Sequence, residues 1–352
     1  MIAATAPIAE LAHVSAALGS DPLLIQGAGG NSSIKQGDTL WVKASGTWMR
    51  DAVARGIFVP VSLGQAREAA ASGDERRLAT ISPMGEAAGE SLRPSIETAL
   101  HALMPHAVVI HAHAIESTTT SILAEGAARF SDAMNSAKIA GAFLTYVKPG
   151  APLAAAVASV FATGSRPDVL LLQNHGVVVG AETPSAAAAL LRRVEAALAL
   201  PARDLPEADL ESVRDLETEE FALCAAHCGA ACDAHLFAVM TDRALMPDQV
   251  VFLGGAAAPV QADPRVDQAL RRMHERAGVE PSLVYVKGVG ALARRSLTEG
   301  ALAMAQALAE IGRRIPERAA VTGLSIEQAW ELADWDAEKF RQRLEAQRAK
   351  SD

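Results

Sequence analysis

The most constraining feature of this sequence is an apolar run, residues 107–113, that contains two histidines separated by one residue. Such a run is typical of a buried strand, in which side chains two positions apart point to the same face. His111 and His113 are therefore predicted to share one ion. A third histidine, His175, follows in an Asn-His-Gly turn. Three imidazoles with a fourth position left open form the ligand set of a catalytic zinc-type centre, and we predict that these three histidines bind a metal.

Apolar periodicity and capping signals predict alternating strands and helices along the chain. Helices are predicted over residues 7–19, 95–104, from about 116, 183–200, 217–232, 297–313 and 325–347, the last with a capping box of Ser325 and Gln328. Strands are predicted over residues 34–35 and 39–43 (a hairpin), 107–113, 169–173, 177–179, 235–241, 250–253 and 283–286. This order predicts an α/β protein with a layered core.

A change of composition predicts a domain boundary. Residues 201–220 contain two prolines and many acids, which indicates a linker or a solvated face. We therefore predict a metal-binding catalytic domain over residues 1–204 and a smaller α/β extension, ending in helices, over residues 205–352. A chain of 352 residues, half of them apolar, is long enough for both.

Charge and hydropathy argue against several classes of partner. The net charge of −9 and the absence of a basic block argue against nucleic acid as the main partner. The N-terminus has no basic segment and carries Glu10, so we expect no signal peptide. No uncharged run reaches the roughly 18 residues that span a bilayer. We expect a cytoplasmic protein with no membrane partner.

The cysteines are a second potential metal-binding group. Cys224, Cys228 and Cys232 are spaced as one stripe of a helix, with His227 and His235 nearby. This spacing differs from the Cys-x-x-Cys pairs of zinc sites. We interpret these cysteines as small residues on a packed helix face, with metal binding as the alternative.

Glu97 is a candidate catalytic residue because it lies immediately before the histidine strand, in the first turn of a predicted helix. A helix N-terminus favours a carboxylate, so a surface glutamate that compensates the helix dipole is one interpretation. The other is a carboxylate beside the metal, either as fourth ligand or as general base. His101 is one helical turn further on the same face, and we expect it to support the site without binding the ion.

Two short turns offer donors for an anionic group. Residues 27–33 form a glycine-rich turn with amide and hydroxyl side chains, which is able to cradle a phosphate. No Gly-Lys-Ser/Thr follows, and the turn leads into a hairpin, so neither a Walker loop nor a dinucleotide-binding turn is indicated. Residues 43–46 form the second turn. Ordinary loops are the alternative interpretation of both.

Five short motifs together resemble the class II aldolase/adducin family. They are Gly-Gly-Asn-x-Ser at 29–33, Lys-x-Ser-Gly at 43–46, Pro-Ser-x-Glu at 94–97, His-x-His at 111–113 and Asn-His-Gly at 174–176. The resemblance covers about residues 5–200. Residues 246–254 resemble a segment of longer members, such as the aldolase half of rhamnulose-phosphate aldolase/dehydrogenase fusions. The dehydrogenase half of those fusions is not recognised, so we expect no nicotinamide cofactor.

The resemblance implies a three-layer αβα core, a tetramer with sites at subunit interfaces, and specific roles for individual residues. Zinc is the preferred ion, with manganese, cobalt and iron as alternatives. Glu97 would be the general acid/base. Tyr146 is the candidate for a family tyrosine that reaches the site of a neighbouring subunit, and a half-buried strand tyrosine is its alternative interpretation. Donors to a substrate phosphate would be Gly30, Asn31, Ser32, Ser45, Gly46 and Ser95. Typical relatives have Ser or Thr where Ile96 stands.

The implied reaction is reversible aldol cleavage of a hydroxyketone, with a ketose 1-phosphate as the preferred substrate. The ion would act as a Lewis acid that stabilises an enediolate. Pentulose-phosphate epimerisation and 3-oxo-acid decarboxylation on the same site are the alternatives. A non-catalytic, adducin-like assembly domain is a further alternative, although adducin-type members lack the metal histidines.

Overall fold

The computed structural model describes residues 5–85, 92–261 and 282–348. The chain divides into two compact units. The first consists of Met1–Ser121 and Gly126–Ala199, and the second of Ile122–Glu125 and Leu200–Asp352. The functional assignment of residues 1–204 and 205–352 stays a prediction.

The first unit is built on a seven-stranded sheet in the order β3-β2-β1-β4-β7-β6-β5. Its strands are β1 (Asn31–Gln36), β2 (Thr39–Lys43), β3 (Phe58–Ser62), β4 (Val108–Ala112), β5 (Gly141–Leu144), β6 (Val169–Leu172) and β7 (Gly176–Ala181). All neighbouring strands are antiparallel except β5 and β6, which are parallel. The histidine strand β4 lies at the centre of the sheet.

Nine α-helices are described in the chain up to residue 199. They are α1 (Ala6–Gly19), α2 (Ala52–Arg55), α3 (Leu63–Ser72), α4 (Glu75–Leu78), α5 (Thr98–Leu103), α6 (Ile115–Ile122), α7 (Gly126–Ala137), α8 (Ala151–Ala162) and α9 (Pro184–Leu198), and a 3₁₀ turn spans Met49–Asp51.

Helices cover both faces of the central strands. Ile110 of β4 packs in one apolar cluster with residues of α1, α7 and α9, including Leu191. Val109, which points the opposite way, packs in another cluster with residues of α5 and α8, including Leu100. Both faces of β4 are buried, which explains why its sequence is apolar at nearly every position. The first unit is therefore a three-layer α/β/α structure.

The hairpin of β1 and β2 confirms the sequence-based prediction. Gln36 pairs with Thr39, so the turn consists of Gly37 and Asp38. Gly37 has φ of 59°, a left-handed conformation that glycine adopts without a steric penalty. The hairpin fixes the register of Asn31 at the opposite end of β1.

The described part of the second unit contains a smaller, four-stranded sheet in the order β8-β11-β10-β9. Its strands are β8 (Phe221–Leu223), β9 (Ala258–Val260), β10 (Leu283–Val286) and β11 (Gly290–Arg294). The accompanying helices are α10 (Leu210–Arg214), α11 (Ala225–Cys232), α12 (Ala234–Asp242), α13 (Pro247–Leu253), α14 (Glu299–Arg314), α15 (Ile326–Ala333) and α16 (Asp336–Arg348). None of the helices described in either unit combines the length and the apolar character that crossing a membrane requires.

Two predicted strands of the second unit are wrong. Residues 235–241 and 250–253 lie in the helices α12 and α13. The Asp233 carboxylate accepts hydrogen bonds from the amides of His235 and Leu236, which caps the start of α12. Pro247 begins α13, and Gly254 ends it with φ of 74°.

Two predicted helices of this unit differ in extent. The helix predicted over 217–232 begins only at Ala225, because residues 221–223 form β8. The helix predicted over 325–347 is interrupted between α15 and α16. The capping box of Ser325 and Gln328 at the start of α15 is confirmed.

Candidate metal centre

Strand β4 carries two of the three predicted ligands. β4 pairs with β1 on one side and β7 on the other, and His111 lies opposite Asn31 and Val178 in these pairings. His113 follows directly after the last residue of β4 and projects to the same face as His111. The centroids of the two imidazoles are 4.8 Å apart. The strand therefore presents two imidazoles side by side at its buried end.

The third predicted ligand, His175, lies in the tight turn between β6 and β7. Asn174 immediately before it has φ of 56°, in the left-handed region that asparagine tolerates better than most residues. Gly176 immediately after it begins β7, and a Cβ at this position would fall against the Ala112 carbonyl and 3.1 Å from Cδ2 of His113. The turn thus places His175 against the end of β4, because Asn174 adopts a left-handed conformation and Gly176 has no side chain to collide with β4.

The three imidazoles form a buried cluster that fits a metal ion. One ring nitrogen from each lies within 4.8 Å of the others, and among the described residues no other group of three His, Cys, Asp or Glu side chains is so placed. His111 Nδ1 donates to the Val177 carbonyl at 3.0 Å, which leaves its Nε2 lone pair for an ion. This Nε2 lies 2.9 Å from His113 Nε2. Three imidazoles are a donor set that binds several divalent transition metals.

Glu97 lies beside the triad and is itself buried, with 6% exposure. Its Oε2 is 3.5 Å from His111 Nε2, and its Oε1 is 3.5 Å from His175 Nε2. Oε1 makes no hydrogen bond to any described residue, which is the environment expected of an oxygen reserved for an ion or a substrate proton. Burial alone would raise the pKa of Glu97, but the neighbouring His111 and His175 charges and a hydrogen bond from Asn31 lower it to about 2. Glu97 is therefore a carboxylate at neutral pH.

A network of hydrogen-bonded polar side chains orients the Glu97 carboxylate. Asn31 Nδ2 donates to Glu97 Oε2 at 2.7 Å and to Ser95 Oγ at 3.2 Å. Asn31 Oδ1 is hydrogen-bonded to His101 Nε2, and His101 Nδ1 is 2.7 Å from Ser33 Oγ. The Glu97 amide also donates to Ser95 Oγ at 3.2 Å. The network joins β1 to the first turn of α5.

The two predicted donor turns meet at Ser95. The Ser45 amide donates to the Arg93 carbonyl at 2.8 Å, and the Ser95 amide donates to the Lys43 carbonyl at 3.1 Å. Gly46, next to Ser45, has φ of 74°, so glycine suits this turn. The structure therefore brings Ser45 and Gly46 next to the segment that leads to Glu97.

Gly30 and Ser32 are placed differently from the other predicted phosphate donors. Gly30 has φ of 61°, and a Cβ here would lie 2.8 Å from the His111 carbonyl, so the residue lets the turn approach β4 closely. Ser32 Oγ lies 2.7 Å from Ser15 Oγ of α1. Because side chains alternate along β1, Ser32 faces away from Asn31. The structure does not bring Ser32 together with the triad.

Tyr146 lies in the loop after β5, next to the turn that carries His175. The Tyr146 amide donates to Gln173 Oε1 at 3.0 Å, and the Gln173 amide donates to the Leu144 carbonyl at 2.9 Å. The phenol oxygen is buried. Among the described residues Tyr146 is not a hydrogen-bond partner of Glu97, so its catalytic role stays a prediction.

Two participants of the Glu97 network, Ser33 and the ring of His101, were not assigned a specific contact from the sequence. The signal for Ser33 is the alternation of a strand, since a site that uses Asn31 also receives the side chain two positions later.

The Cys224, Cys228 and Cys232 thiols are free. Burial raises the pKa of all three, as expected of packed, unreactive cysteines.

The sequence profile of the family described as Class II Aldolase and Adducin N-terminal domain matches residues 9–200. A curated relative, described as "Uncharacterized oxidoreductase YuxG" of Bacillus subtilis (strain 168), is 26% identical over 187 residues. The match covers 50% of this chain but only 27% of that protein, so the chain spans about a quarter of its relative's length.

Two solved structures are similar to part of the chain. The N-terminal Class II Aldolase domain of a conserved Thermoplasma acidophilum protein is 24% identical, with a TM-score of 0.47, and the match covers 56% of this chain and 94% of that domain. A sugar-phosphate aldolase from Thermotoga maritima is 16% identical, with a TM-score of 0.42, covering 55% of this chain and 91% of that one.

Proposed function

The chain belongs to the class II aldolase and adducin family, and from this membership we propose that it is a divalent-metal-dependent aldolase. The proposed reaction is reversible cleavage of a carbon–carbon bond in a hydroxyketone, with a ketose 1-phosphate as the preferred substrate class. The observation that carries the proposal is the arrangement of Glu97. Its two carboxylate oxygens lie 3.5 Å from two different imidazoles of a buried His111, His113 and His175 triad.

The triad would hold the ion, and zinc is our first choice. When bound, a divalent cation supplies Lewis-acid polarisation for the negative charge that develops on substrate oxygens during cleavage. The protein supplies the proton transfers. Glu97 has one oxygen hydrogen-bonded to Asn31 and the other directed into the triad, so as a carboxylate it is positioned to remove a proton from the substrate carbon in the addition direction. In the cleavage direction Glu97 would first receive the proton that the substrate hydroxyl loses and then give it to the carbon that receives the electron pair of the broken bond.

The remaining residues would orient the substrate. Ser45 and Gly46 lie beside Ser95, where amide and hydroxyl donors are able to hold an anionic group. Tyr146 would protonate or deprotonate the hydroxyl of the aldehyde fragment. A homo-oligomer, with a tetramer as the expected size, would be needed if that tyrosine serves a neighbouring site.

The proposal is tested with purified protein, stripped of metal and then reconstituted with zinc, manganese, cobalt or iron(II). The reconstituted protein is incubated with ketose 1-phosphates, free ketoses and 3-oxo acids, and the products are identified. We expect about one ion per chain and two carbonyl fragments from a ketose 1-phosphate. An epimer or carbon dioxide as the only product would contradict the aldolase assignment, and an absence of metal binding would favour an assembly domain.

Two variants separate metal binding from chemistry. His111→Ala should lose the ion and cleavage together. Glu97→Gln should retain the ion while kcat falls by about 10²–10⁴-fold, the usual contribution of a general acid/base. Circular dichroism and thermal melting establish that both variants fold. Retained cleavage in folded His111→Ala protein would overturn the proposed function.

A further inference from the structure

Four side chains behind the triad form a continuous hydrogen-bonded chain. It runs from Ser33 Oγ to His101 Nδ1 at 2.7 Å, from His101 Nε2 to Asn31 Oδ1, and from Asn31 Nδ2 to Glu97 Oε2 at 2.7 Å. Ser33 and His101 have no exposed surface, and Asn31 and Glu97 are 5% and 6% exposed. Water therefore does not substitute for any of these contacts, and each group depends on its neighbour.

The orientation of the Asn31 side chain fixes the direction of the bonds on either side of it. Its Nδ2 donates to Glu97 Oε2 and its Oδ1 faces His101 Nε2, so the amide presents its NH₂ group to Glu97 and its oxygen to His101. His101 must then carry its proton on Nε2 and accept at Nδ1 from the Ser33 hydroxyl. Burial lowers the pKa of His101 to about 3, although the charge of Glu97 opposes this shift, and a neutral ring is the form that the chain requires.

The Asn31 amide has no donor left for a substrate. Its Nδ2 donates to both Glu97 Oε2 and Ser95 Oγ, and its Oδ1 is occupied by His101. An amide rotated by 180° would direct an oxygen at the Glu97 carboxylate, so two acceptors would face each other. The contacts around Asn31 thus differ from those of a phosphate ligand.

We propose that His101 and Ser33 are positioning residues, which hold the Asn31 amide in the orientation that directs the Glu97 carboxylate at the metal triad. In this arrangement the Asn31 side chain is committed to Glu97 and Ser95. His101 acts through two intervening contacts and touches neither substrate nor ion. The kinetic part of this inference rests on the proposed aldolase function, whereas the arrangement of protons does not.

Three variants test the chain through kinetics. Ser33→Ala removes the donor to His101, His101→Leu removes both ring nitrogens, and His101→Gln restores a donor near the Nε2 position. Loss of a residue that orients the chemical groups of a metal site commonly costs about 10–100-fold in activity. We expect kcat to fall about tenfold in Ser33→Ala and about 100-fold in His101→Leu, with His101→Gln recovering most of the activity. KM and metal content should stay within about twofold of wild type because no substrate or ion contact is removed.

Ser15→Ala is the matched control. Ser15 is as buried as Ser33 and its hydroxyl also makes a hydrogen bond to another side chain, but it lies on α1 behind the opposite face of the sheet. Its kcat should equal that of wild type. Wild-type kcat in both Ser33→Ala and His101→Leu would overturn the inference. So would a rise in KM that is confined to phosphorylated substrates, since this would indicate that the network holds Asn31 for a phosphate.

A second measurement does not depend on activity. In protein labelled with ¹⁵N-histidine, the imidazole nitrogen shifts report the protonation and tautomer of each ring, and His101→Gln assigns the His101 signals. We expect a neutral His101 ring with its proton on Nε2 in wild type, because Nε2 faces the Asn31 oxygen. In Ser33→Ala the proton should stay on Nε2 while the Nδ1 signal shifts, because that nitrogen loses its hydrogen-bond donor, and Ser15→Ala should leave both signals unchanged. A charged ring or an Nδ1 tautomer in wild type overturns the inference. Wild-type protein that shows the expected tautomer but cleaves no substrate overturns the proposed function alone.

Discussion

At the scale of single residues, the histidine triad depends on Gly176, where the surrounding atoms leave no space for a side chain. Gly176 separates His175 from the rest of β7, and its Cα faces the end of β4. A methyl group here would fall against the Ala112 carbonyl and 3.1 Å from Cδ2 of His113. Neither contact is with the far end of a flexible side chain, so β4 or the turn would have to move.

We therefore expect Gly176→Ala to weaken metal binding more than it weakens the fold. Overpacking of this kind typically costs about 1–3 kcal/mol of stability, and a displaced His113 should lower zinc affinity by about tenfold or more. Competition titration with a zinc chelator measures the affinity, and urea denaturation measures the stability. Gly64→Ala is the control, because the nearest atom to its new Cβ is 3.5 Å away. Wild-type zinc affinity in Gly176→Ala would contradict the assigned geometry.

Strand periodicity predicts some contacts of the site and leaves others undetermined. The period of two along a strand places His111 and His113 on one face, and the structure has them there. Applied to β1, the same period separates Ser32 from Asn31 and Ser33. Residue type alone, applied to the glycine-rich turn before β1, predicts Ser32 as a donor and gives no contact for Ser33. The contact between Ser33 and His101 depends on α5, whose packing against the sheet no local pattern specifies.

At the scale of elements, sequence patterns succeeded for several buried strands and for helices with clear capping signals. The strands β2, β4, β6 and β7 and the helix α9 follow the predicted positions closely, and the Ser325 and Gln328 capping box is present, whereas no strand is predicted at β3 or β5. They failed in short apolar runs of the second unit. A run such as residues 250–253 fits a buried strand and a short helix equally well, and the deciding signals are its neighbours Pro247 and Gly254.

Helix α11 of the second unit carries a buried histidine with a predictable effect on stability. His227 Nε2 is 2.8 Å from the Ala305 carbonyl and donates to it, so Nδ1 accepts from the Tyr285 hydroxyl at 2.6 Å. Burial lowers the pKa of His227 to about 4, and the bond to Ala305 only partly opposes this. The ring is neutral in the folded state at pH 5, whereas in the unfolded chain it is mostly protonated.

Because the folded pKa lies below the unfolded value, stability is lost as the pH falls from about 6.5 toward 4. The loss attributable to His227 should reach about 2 kcal/mol between pH 7 and pH 5. Urea denaturation at several pH values measures it. His227→Gln should be less stable at pH 7 and should lose about 2 kcal/mol less than wild type on acidification. The exposed His13→Gln is the control, and an unchanged pH slope in His227→Gln would refute the assignment.

At the scale of the whole molecule, the placement of Tyr146 raises the question of which subunit its phenol serves. The triad and Glu97 lie in one chain, with carboxylate and imidazole atoms 3.5 Å apart. Tyr146 is fixed by its backbone to Gln173 and not to Glu97. If the protein is a tetramer whose sites lie at subunit interfaces, the tyrosine of one subunit is expected to complete the site of another.

Coexpression of two variant chains, each inactive alone, determines which subunit's site the Tyr146 phenol serves. A His111→Ala chain has Tyr146 but no complete triad, and a Tyr146→Phe chain has the triad but no phenol. If the phenol acts on the neighbouring site, mixed oligomers contain sites in which both groups are present. Random assembly in a closed oligomer would restore roughly a quarter of wild-type activity, beyond the residual activity of either variant alone.

The matched control for complementation uses two residues of the same chain. His111→Ala mixed with Glu97→Gln should regain no activity, because the structure places both groups in one subunit's site. Sedimentation velocity on the same samples determines whether mixed oligomers form. Mixed tetramers of the His111→Ala and Tyr146→Phe chains that stay inactive would show that Tyr146 does not act across an interface. A protein that sediments as a monomer of 36.7 kDa and is active would refute the shared site altogether, since each chain would then complete its own proton transfers.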